Sequence, residues 1–326
     1  MASSILVTGG AGYIGSHACK ALARAGYLPV AYDDLSRGHR AAVRWGPLVE
    51  GDIADRPRLC AALAEHRVAA VMHFAAYAYV GESVGNPALY YRNNLSGSLS
   101  LLEAMRETRV GEIVFSSTCA IYGTPDAVPI RETAPQNPVN PYGETKRAIE
   151  RALHWYGQAY AIRSASLRYF NAAGADGEGE IGEDHEPETH LIPLVLGAAL
   201  GRRPAIEVFG TDYPTPDGTA IRDYIHVDDL ADAHLRALER LRSGGASIAL
   251  NLGSGEGHSV REVIAAAVAV SGRKIAVRDA PRRPGDPPAL VADPSLAAQT
   301  LGWRASRSSL EAIIRTAFAW HNRAST

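Results

Sequence analysis

Tyr142 and Lys146, one helical turn apart in Tyr142-Gly-Glu-Thr-Lys146, are the residues of this chain best suited to proton chemistry. Positions i and i+4 share a helix face, so the Lys146 ammonium can stand beside the Tyr142 phenol and stabilise its phenolate. A phenol tuned in this way works as a base near neutral pH. Alone, the pattern also occurs on surface helices that catalyse nothing. A second feature gives it weight. Gly9, Gly12 and Gly15 form G-x-x-G-x-x-G between an apolar run, 5–8, and a helical pattern that begins at Tyr13. Glycines there allow a tight turn and let backbone approach a pyrophosphate, which the helix N-terminus meets with amide donors. The competing reading is a glycine turn without a ligand. Asp33, at the end of the next apolar run, is placed to accept hydrogen bonds from an adenosine ribose diol; its charge repels a 2'-phosphate and favours NAD over NADP. Arg37 and Arg40 argue the other way, because a nearby arginine can accommodate that phosphate. Turn, acid and Tyr/Lys pair together point to hydride chemistry on a bound nicotinamide. Asp52, after the third strand, is suited to the adenine amino group or equally to a solvated turn.

Such residues need a scaffold that brings strand ends together. Apolar runs at 5–8, 28–32, 49–52, 70–74, 113–117 and 164–170 alternate with helical patterns at 13–25, near 57–66, near 89–106 and around Tyr142. This alternation predicts an α/β fold, a Rossmann-type doubly wound parallel sheet with a smaller mixed α/β C-terminal substrate domain. The glycine- and acid-rich stretch 171–180 marks a boundary. Beyond it come helices near 193–200 and 227–242, a Pro/Gly-rich segment at 209–218 and a Pro/Arg/Gly run at 281–288. The expected division is a cofactor-binding domain of 1–172 plus about 222–252, and a substrate domain of 173–221 plus about 253–326. No repeat of fixed period or low-complexity tract is visible.

Composition excludes other classes. The 326 residues, 46% hydrophobic, can fill a sizeable core. With 33 basic against 35 acidic residues, a net charge of −2 offers no bulk attraction for nucleic acid or an anionic membrane, so an anionic ligand must be met by local arginines. The three cysteines, Cys19, Cys60 and Cys119, are odd in number and lack metal-ligand spacing; reduced thiols in a cytoplasmic protein are the simplest reading, and no metal site is expected. No targeting segment or run of about 18 apolar residues appears.

Asn93, then Ser116-Ser117-Thr118 at a strand end, then Tyr142 and Lys146 follow an order that resembles the extended short-chain dehydrogenase/reductase family. Thr8-Gly-Gly-Ala-Gly-Tyr-Ile-Gly-Ser-His17, Val80-Gly-Glu-Ser-Val84, Leu167-Arg-Tyr-Phe-Asn171 and Arg222-Asp-Tyr-Ile-His-Val227 narrow the resemblance to the UDP-glucose 4-epimerase family. Arg282-Arg-Pro-Gly-Asp286 and Leu301-Gly-Trp303 extend it over essentially the whole chain. Asn171-Ala-Ala-Gly-Ala-Asp-Gly177, Glu188-Thr-His-Leu-Ile-Pro193 and Cys119-Ala-Ile-Tyr-Gly123 are also similar to bacterial epimerases associated with surface polysaccharide.

The resemblance implies that Thr118 orients the substrate oxygen, Tyr142 transfers its proton, and Lys146 stabilises the phenolate and holds the nicotinamide ribose. It implies NAD contacts from Gly9, Gly12, Tyr13, Ile14, Gly15, Asp33, Asp34, Ser36, Asp52, Ile53, Phe74, Ala75, Ala76, Ala78, Asn93, Tyr142, Lys146 and Phe170. A UDP-hexose is expected to meet Thr118, Asn171, His190, Leu191, Val208, Phe209, Arg222, Arg283, Asp286 and Leu290. Guanidinium groups suit a diphosphate, through fork-like charge-assisted hydrogen bonds. The implied reaction interconverts UDP-galactose and UDP-glucose by transient oxidation at carbon 4, rotation of the keto sugar and return of the hydride. A homodimer is implied, through helices near 89–106 and 144–160. Three departures stand out: Ala78 where some epimerases carry a lysine near the pyrophosphate, Thr118 where others carry serine, and His190 where some carry asparagine. Leu290, of intermediate size, leaves the range of sugars open, and a UDP-xylose/UDP-arabinose epimerase uses the same chemistry. A sugar-nucleotide dehydratase commonly carries Asp-Glu after the threonine, where this chain has Cys119-Ala120. A non-catalytic NAD-binding protein would be expected to lose the tyrosine or lysine, and both are present.

Overall fold

The computed structural model describes residues 2–283 and 285–323. Its first six strands are β1 (Ser4–Thr8), β2 (Leu28–Asp33), β3 (Leu48–Glu50), β4 (Val68–His73), β5 (Glu112–Thr118) and β6 (Arg163–Tyr169). The second part of the chain adds β7 (Asn171–Ala173), β8 (Ile206–Phe209), β9 (Ile221–His226), β10 (Ile248–Leu252), β11 (Gly257–Ser259), β12 (Val277–Ala280) and β13 (Ala289–Leu290). Seven strands form one sheet in the order β10-β6-β5-β4-β1-β2-β3, every pairing parallel. The order reverses direction beside β1, so the strands on either side of the crevice between β1 and β4 lead to helices on opposite faces, the place where open α/β sheets bind ligands.

Side-chain alternation along β1 builds both cores at once. Ile5 and Val7 pack with Leu22, Leu230, Leu238 and Trp303, beneath helices Tyr13–Arg24 and Val227–Arg242. Leu6 points the other way, into Val30, Leu59, Leu101, Met105, Ile149 and Leu153, beneath helices Arg56–Glu65, Gly97–Thr108 and Pro141–Tyr160. Each of these side chains is essentially removed from water, and full burial of a Val, Leu or Ile contributes about 1.5–3 kcal/mol.

A second sheet runs β11-β9-β13, with β7 also pairing β9, and β8 pairs β12. Helices Leu191–Ala199, Val260–Ser271 and Leu310–Arg323 close a separate core here, around Ile192, Val195, Tyr224, Val263 and Ile313. Residues 222–226 therefore pair in the second sheet, while the Val227 helix and β10 lie with the first. Helix Pro141–Tyr160 begins where it does because Asn140 caps it, accepting from the Gly143 amide at 2.8 Å, and Pro141 supplies a fixed φ at the first position.

One element departs from the sequence pattern. The helical run expected near 89–106 is interrupted: Pro87–Tyr90 is α-helical, Tyr91–Ser96 forms a wider π-type turn, and the α-helix resumes at Gly97–Thr108. At Gly97 a Cβ would stand 2.7 Å from Ile53 Cδ1, so the chain passes close to the end of β3 there. Single-residue bulges of this kind recur at functional sites.

Candidate active site

The glycine turn is a backbone cradle. Gly9 has φ +71°, and a Cβ on it would stand 2.7 Å from the Ala75 amide nitrogen; on Gly15 a Cβ would meet the Gly9 carbonyl oxygen at 2.1 Å. Gly12 begins helix Tyr13–Arg24 without a side-chain cap, which leaves first-turn amides free for an anion. Asp33 closes the turn from β2: its Oδ2 accepts from the Ala11 amide at 3.0 Å and its Oδ1 from the Leu35 amide at 2.9 Å. Burial pushes this carboxyl up, and the two amides oppose the shift. A carboxylate accepts about four hydrogen bonds, so capacity for a ribose diol remains. The two arginines that favoured a 2'-phosphate are engaged elsewhere: Arg37 pairs with Glu82 at 3.0 Å and lies over the rings of Tyr77 and Tyr79, while Arg40 pairs with Glu50. These residues fit an adenine dinucleotide without a 2'-phosphate. Asp34 and Ser36 form an exposed turn after β2, with Asp34 Oδ1 taking the Ser36 amide and hydroxyl. Asp52 is exposed and accepts from the Ala54 amide, while Ile53 beside it is buried.

A directed hydrogen-bond chain runs beneath the crevice. Ser98 gives its one proton to the Asn94 carbonyl at 2.5 Å, so it must accept from His73 Nε2 at 2.8 Å. His73 Nδ1 then accepts from the Thr8 hydroxyl at 2.6 Å, and Thr8 Oγ1 accepts from the Ala75 amide at 3.4 Å. Burial, with a smaller push from Lys146, lowers His73 to about 3, which keeps the imidazole neutral and this tautomer fixed. Asn94, fully buried in the π-type turn, accepts from the Tyr77 amide at 2.9 Å and donates to the Tyr77 carbonyl at 3.0 Å. The segment holding Phe74, Ala75, Ala76 and Ala78 is thus tied to β1 at one end and to the turn at the other. Asn93, next along, donates to Asn94 Oδ1 at 2.9 Å, and Ala78 is exposed.

Thr118, at the end of β5, and Tyr142 meet beside this segment. Tyr142 is 8% exposed and its ring stands edge-on to Tyr90. Burial pushes the phenol up and the Tyr169 phenol adds to it, whereas the Thr118 hydroxyl acts to favour the phenolate. Lys146 is 3% exposed; its Nζ donates to the Ser116 carbonyl at 2.8 Å and lies 5.9 Å from the centre of the Tyr142 ring. Burial lowers this ammonium to about 7, with Glu150 pulling it back up. The lysine therefore reaches the phenol through its charge rather than through a direct hydrogen bond.

Several residues at the site were not singled out from the sequence. Glu150, at i+4 from Lys146 on the same helix, takes the Ser117 hydroxyl at 2.5 Å and the Arg168 guanidinium at 2.6 and 3.0 Å. Arg168 also donates to the Tyr122 hydroxyl, which donates to Asn251 Oδ1 at 2.7 Å. This network fixes the strand end that carries Thr118. The repeat of the i+4 spacing beyond Lys146 was the one sequence signal for it; Arg168, Tyr122 and Asn251 come from separate segments joined only by the fold.

On the other side of the crevice the expected substrate residues come together in pairs. Arg222 is ion-paired with Asp286 and donates to the Ile221 carbonyl at 2.7 Å, and Leu290 lies opposite it in the β13–β9 register. The Arg283 guanidinium stacks 4.0 Å above the Phe209 ring. Val208 is fully buried in the separate core around Ile192 and Ile313, Asn171 pairs with Tyr224 between β7 and β9, and Leu191 is the first residue of its helix. Phe170 packs with Cys119, Tyr122 and Leu290 between the two groups. His190, just ahead of that helix, is held by Glu183 at 2.6 Å. The Tyr13 hydroxyl donates to the Gly174 carbonyl at 2.6 Å and joins the cofactor turn to the second unit, while Ile14, next to it, is partly buried.

The sequence matches the NAD dependent epimerase/dehydratase family over residues 5–253. A UDP-glucose 4-epimerase of Rhizobium leguminosarum bv. trifolii is 56% identical over 318 residues, 98% of this chain and 97% of its own length. The crystal structure of UDP-glucose 4-epimerase from Brucella ovis in complex with NAD superposes with a TM-score of 0.96 at 56% identity, covering 98% of each chain. The epimerase of Stenotrophomonas maltophila, solved with NAD and formylated UDP-arabinopyranose, superposes with a TM-score of 0.96 at 44% identity over 99% of each chain. The chain therefore belongs to the NAD dependent epimerase/dehydratase family and, within it, to the UDP-glucose 4-epimerase family.

Proposed function

We propose that this chain interconverts UDP-galactose and UDP-glucose, with Tyr142 as the group that removes and returns the proton of the sugar 4-hydroxyl. The observation that carries the assignment is the meeting of Tyr142, Thr118 and Lys146 at the end of β5, next to the glycine cradle. A bound NAD would supply reversible hydride transfer at carbon 4 of the sugar. Gly9, Gly12 and Gly15 hold the pyrophosphate, and Asp33 holds the adenosine ribose. The Thr118 hydroxyl orients the sugar oxygen, and the charge of Lys146 favours the phenolate of Tyr142. Arg222 and Arg283 anchor the UDP diphosphate. A firm hold on UDP with a loose hold on the hexose lets both faces of the sugar meet one cofactor, since equal grip on both orientations would require two sites.

A pentose substrate is the second reading, favoured by the UDP-arabinopyranose derivative held by the relative at 44% identity. The division of the chain into an NAD unit of 1–172 plus about 222–252 and a UDP-sugar unit of the remainder is part of the same proposal. So is a homodimer through the two helical segments beside the crevice, supported by Trp155, 64% exposed on helix Pro141–Tyr160. No helix among the described residues is long and apolar enough to cross a membrane, which accords with a cytoplasmic enzyme.

The test is incubation of the purified protein with UDP-galactose, without added NAD, and chromatography of the nucleotide sugars. UDP-glucose should form without free NADH, and Tyr142→Phe should lower the rate by about 10²–10⁴-fold, the usual worth of a general base, while NAD stays bound. Unchanged turnover in Tyr142→Phe refutes the assignment. Conversion of UDP-arabinose but not UDP-galactose selects the pentose reading.

A further inference from the structure

Glu183, His185, Glu188 and His190 bring two carboxylates and two imidazoles to one point in the loop ahead of helix Leu191–Ala199. Their donor atoms all lie within 4.8 Å of one another. His185 Nδ1 is 3.3 Å from Glu183 Oε1 and 3.6 Å from Glu188 Oε2. His190 Nδ1 is 2.6 Å from Glu183 Oε1 and 3.5 Å from Glu188 Oε1. Four donors bound at about 2.0–2.1 Å around a tetrahedral ion stand roughly 3.3 Å apart. The His185 Nδ1–Glu183 Oε1 contact matches that edge, His190 Nδ1 is drawn closer to Glu183 by a direct hydrogen bond that an ion would replace, and Glu188 faces the two imidazoles with different oxygens.

Two further observations separate this cluster from an ordinary group of surface acids. Glu183 is 3% exposed, and the ion-pair partners of its carboxylate are the two imidazoles. His185 Nδ1 is buried from solvent yet makes no hydrogen bond with the described residues, although it faces Glu183; its 3.3 Å contact lacks the geometry of a bond. An atom set between the four donors would satisfy it. The donors are also held in place. Glu188 Oε1 accepts the Thr189 and His190 amides at 2.7 and 2.8 Å, the Trp320 indole donates to the Glu183 carbonyl at 3.0 Å, and the rings of Tyr13 and Tyr79 stand edge-on to His185.

We propose that Glu183, His185, Glu188 and His190 form a binding site for a divalent transition ion of the zinc class. Two imidazoles and two carboxylates suit such an ion, whereas calcium and magnesium prefer oxygen ligands alone. The two carboxylates balance its charge in a partly buried cluster, with Glu183 at its inner side and His190 at its outer side. Spacing of Glu183-x-His185-x-x-Glu188-x-His190 places all four ligands in one stretch of chain, with no cysteine among them.

The test uses the NAD-loaded protein, desalted after incubation with zinc chloride, with bound metal counted by mass spectrometry and affinity measured by calorimetry. The wild type should retain one zinc per chain. His185→Ala and Glu188→Gln should each bind at least about 100-fold more weakly, since even an outer partner of a metal ligand is worth 10–100-fold. Circular dichroism shows which variants fold; if His185→Ala does not, Glu188→Gln, whose side chain is partly exposed, carries the comparison. Cobalt(II) in place of zinc should give the intense visible bands of a tetrahedral site. A wild type that keeps no zinc, or zinc held equally tightly by the folded variants, overturns the proposal.

Discussion

At the scale of single residues, burial opposes both members of the proposed proton-transfer pair: it raises the Tyr142 phenol and lowers the Lys146 ammonium to about 7. Each group alone would be neutral at moderately alkaline pH, so the charged pair depends on mutual attraction and on the Thr118 hydroxyl. Because Lys146 acts across 5.9 Å by charge, replacing it with methionine removes a field and leaves the phenol in place. Lys146→Met should move the alkaline-rising limb of the turnover profile up by about 1–3 pH units, the shift expected for loss of one nearby opposite charge. A limb that stays where it was would exclude Lys146 as the stabilising cation. Stability carries the opposite mark of the same burial. The folded ammonium titrates near 7 and the unfolded one near 10.5, so between those values the unfolded chain binds more protons and stability rises with pH. In the cofactor-free protein, wild type should gain on Lys146→Met from pH 7 to 10 in chemical denaturation; a flat difference contradicts the shift.

At the scale of elements, the π-type turn Tyr91–Ser96 matters because it turns Asn94 inward to hold Tyr77 by both backbone groups. Asn94→Ala leaves the partly buried Tyr77 amide and carbonyl without this partner, a loss of at most about 1–3 kcal/mol each. We expect lower stability together with faster loss of NAD on dilution, since the 74–78 segment would no longer be pinned; a variant that is destabilised yet retains NAD as wild type would show the turn to be structural only. This turn was not legible in the sequence. Apolar periodicity at 89–106 reads as one continuous helix, because a one-residue bulge shifts the phase by less than the pattern resolves. By contrast, the strand-helix alternation and the glycine turn were legible, since each follows from local spacing, and the expected runs fall on β1 to β6. The Tyr142 helix was legible for the same reason. Glu150, Arg168, Tyr122 and Asn251 were not read as a unit, because they converge from one α-helix, two strands and the short 3-10 helix Cys119–Tyr122. The pairing of Arg222 with Asp286 likewise needs β9 and β13 side by side before it can be seen.

At the scale of the molecule, the two sheets are fastened where the cofactor turn meets the loop after β7. Lys20 on the Tyr13 helix pairs with buried Asp176 at 2.7 Å and with Glu178 and Glu180, close to the bond from Tyr13 to Gly174. The Trp303 indole, buried in the first core, donates to the Asp229 carbonyl and brings the C-terminal segment back to the Val227 helix. Lys20→Met would leave Asp176 buried without its partner, at a cost of about 3–5 kcal/mol. Part of that loss should be recovered in Lys20→Met/Asp176→Asn, and no recovery would mean that the pair is not the fastening. These links hold the hydride-transfer side of the crevice in register with the arginine side, which the proposed reaction requires of a single cofactor serving both faces of one sugar. The most direct measurement is conversion of UDP-galactose carrying deuterium at carbon 4. Removal and return of the same hydride predict UDP-glucose that keeps the deuterium at carbon 4; release of the label to water would contradict the account.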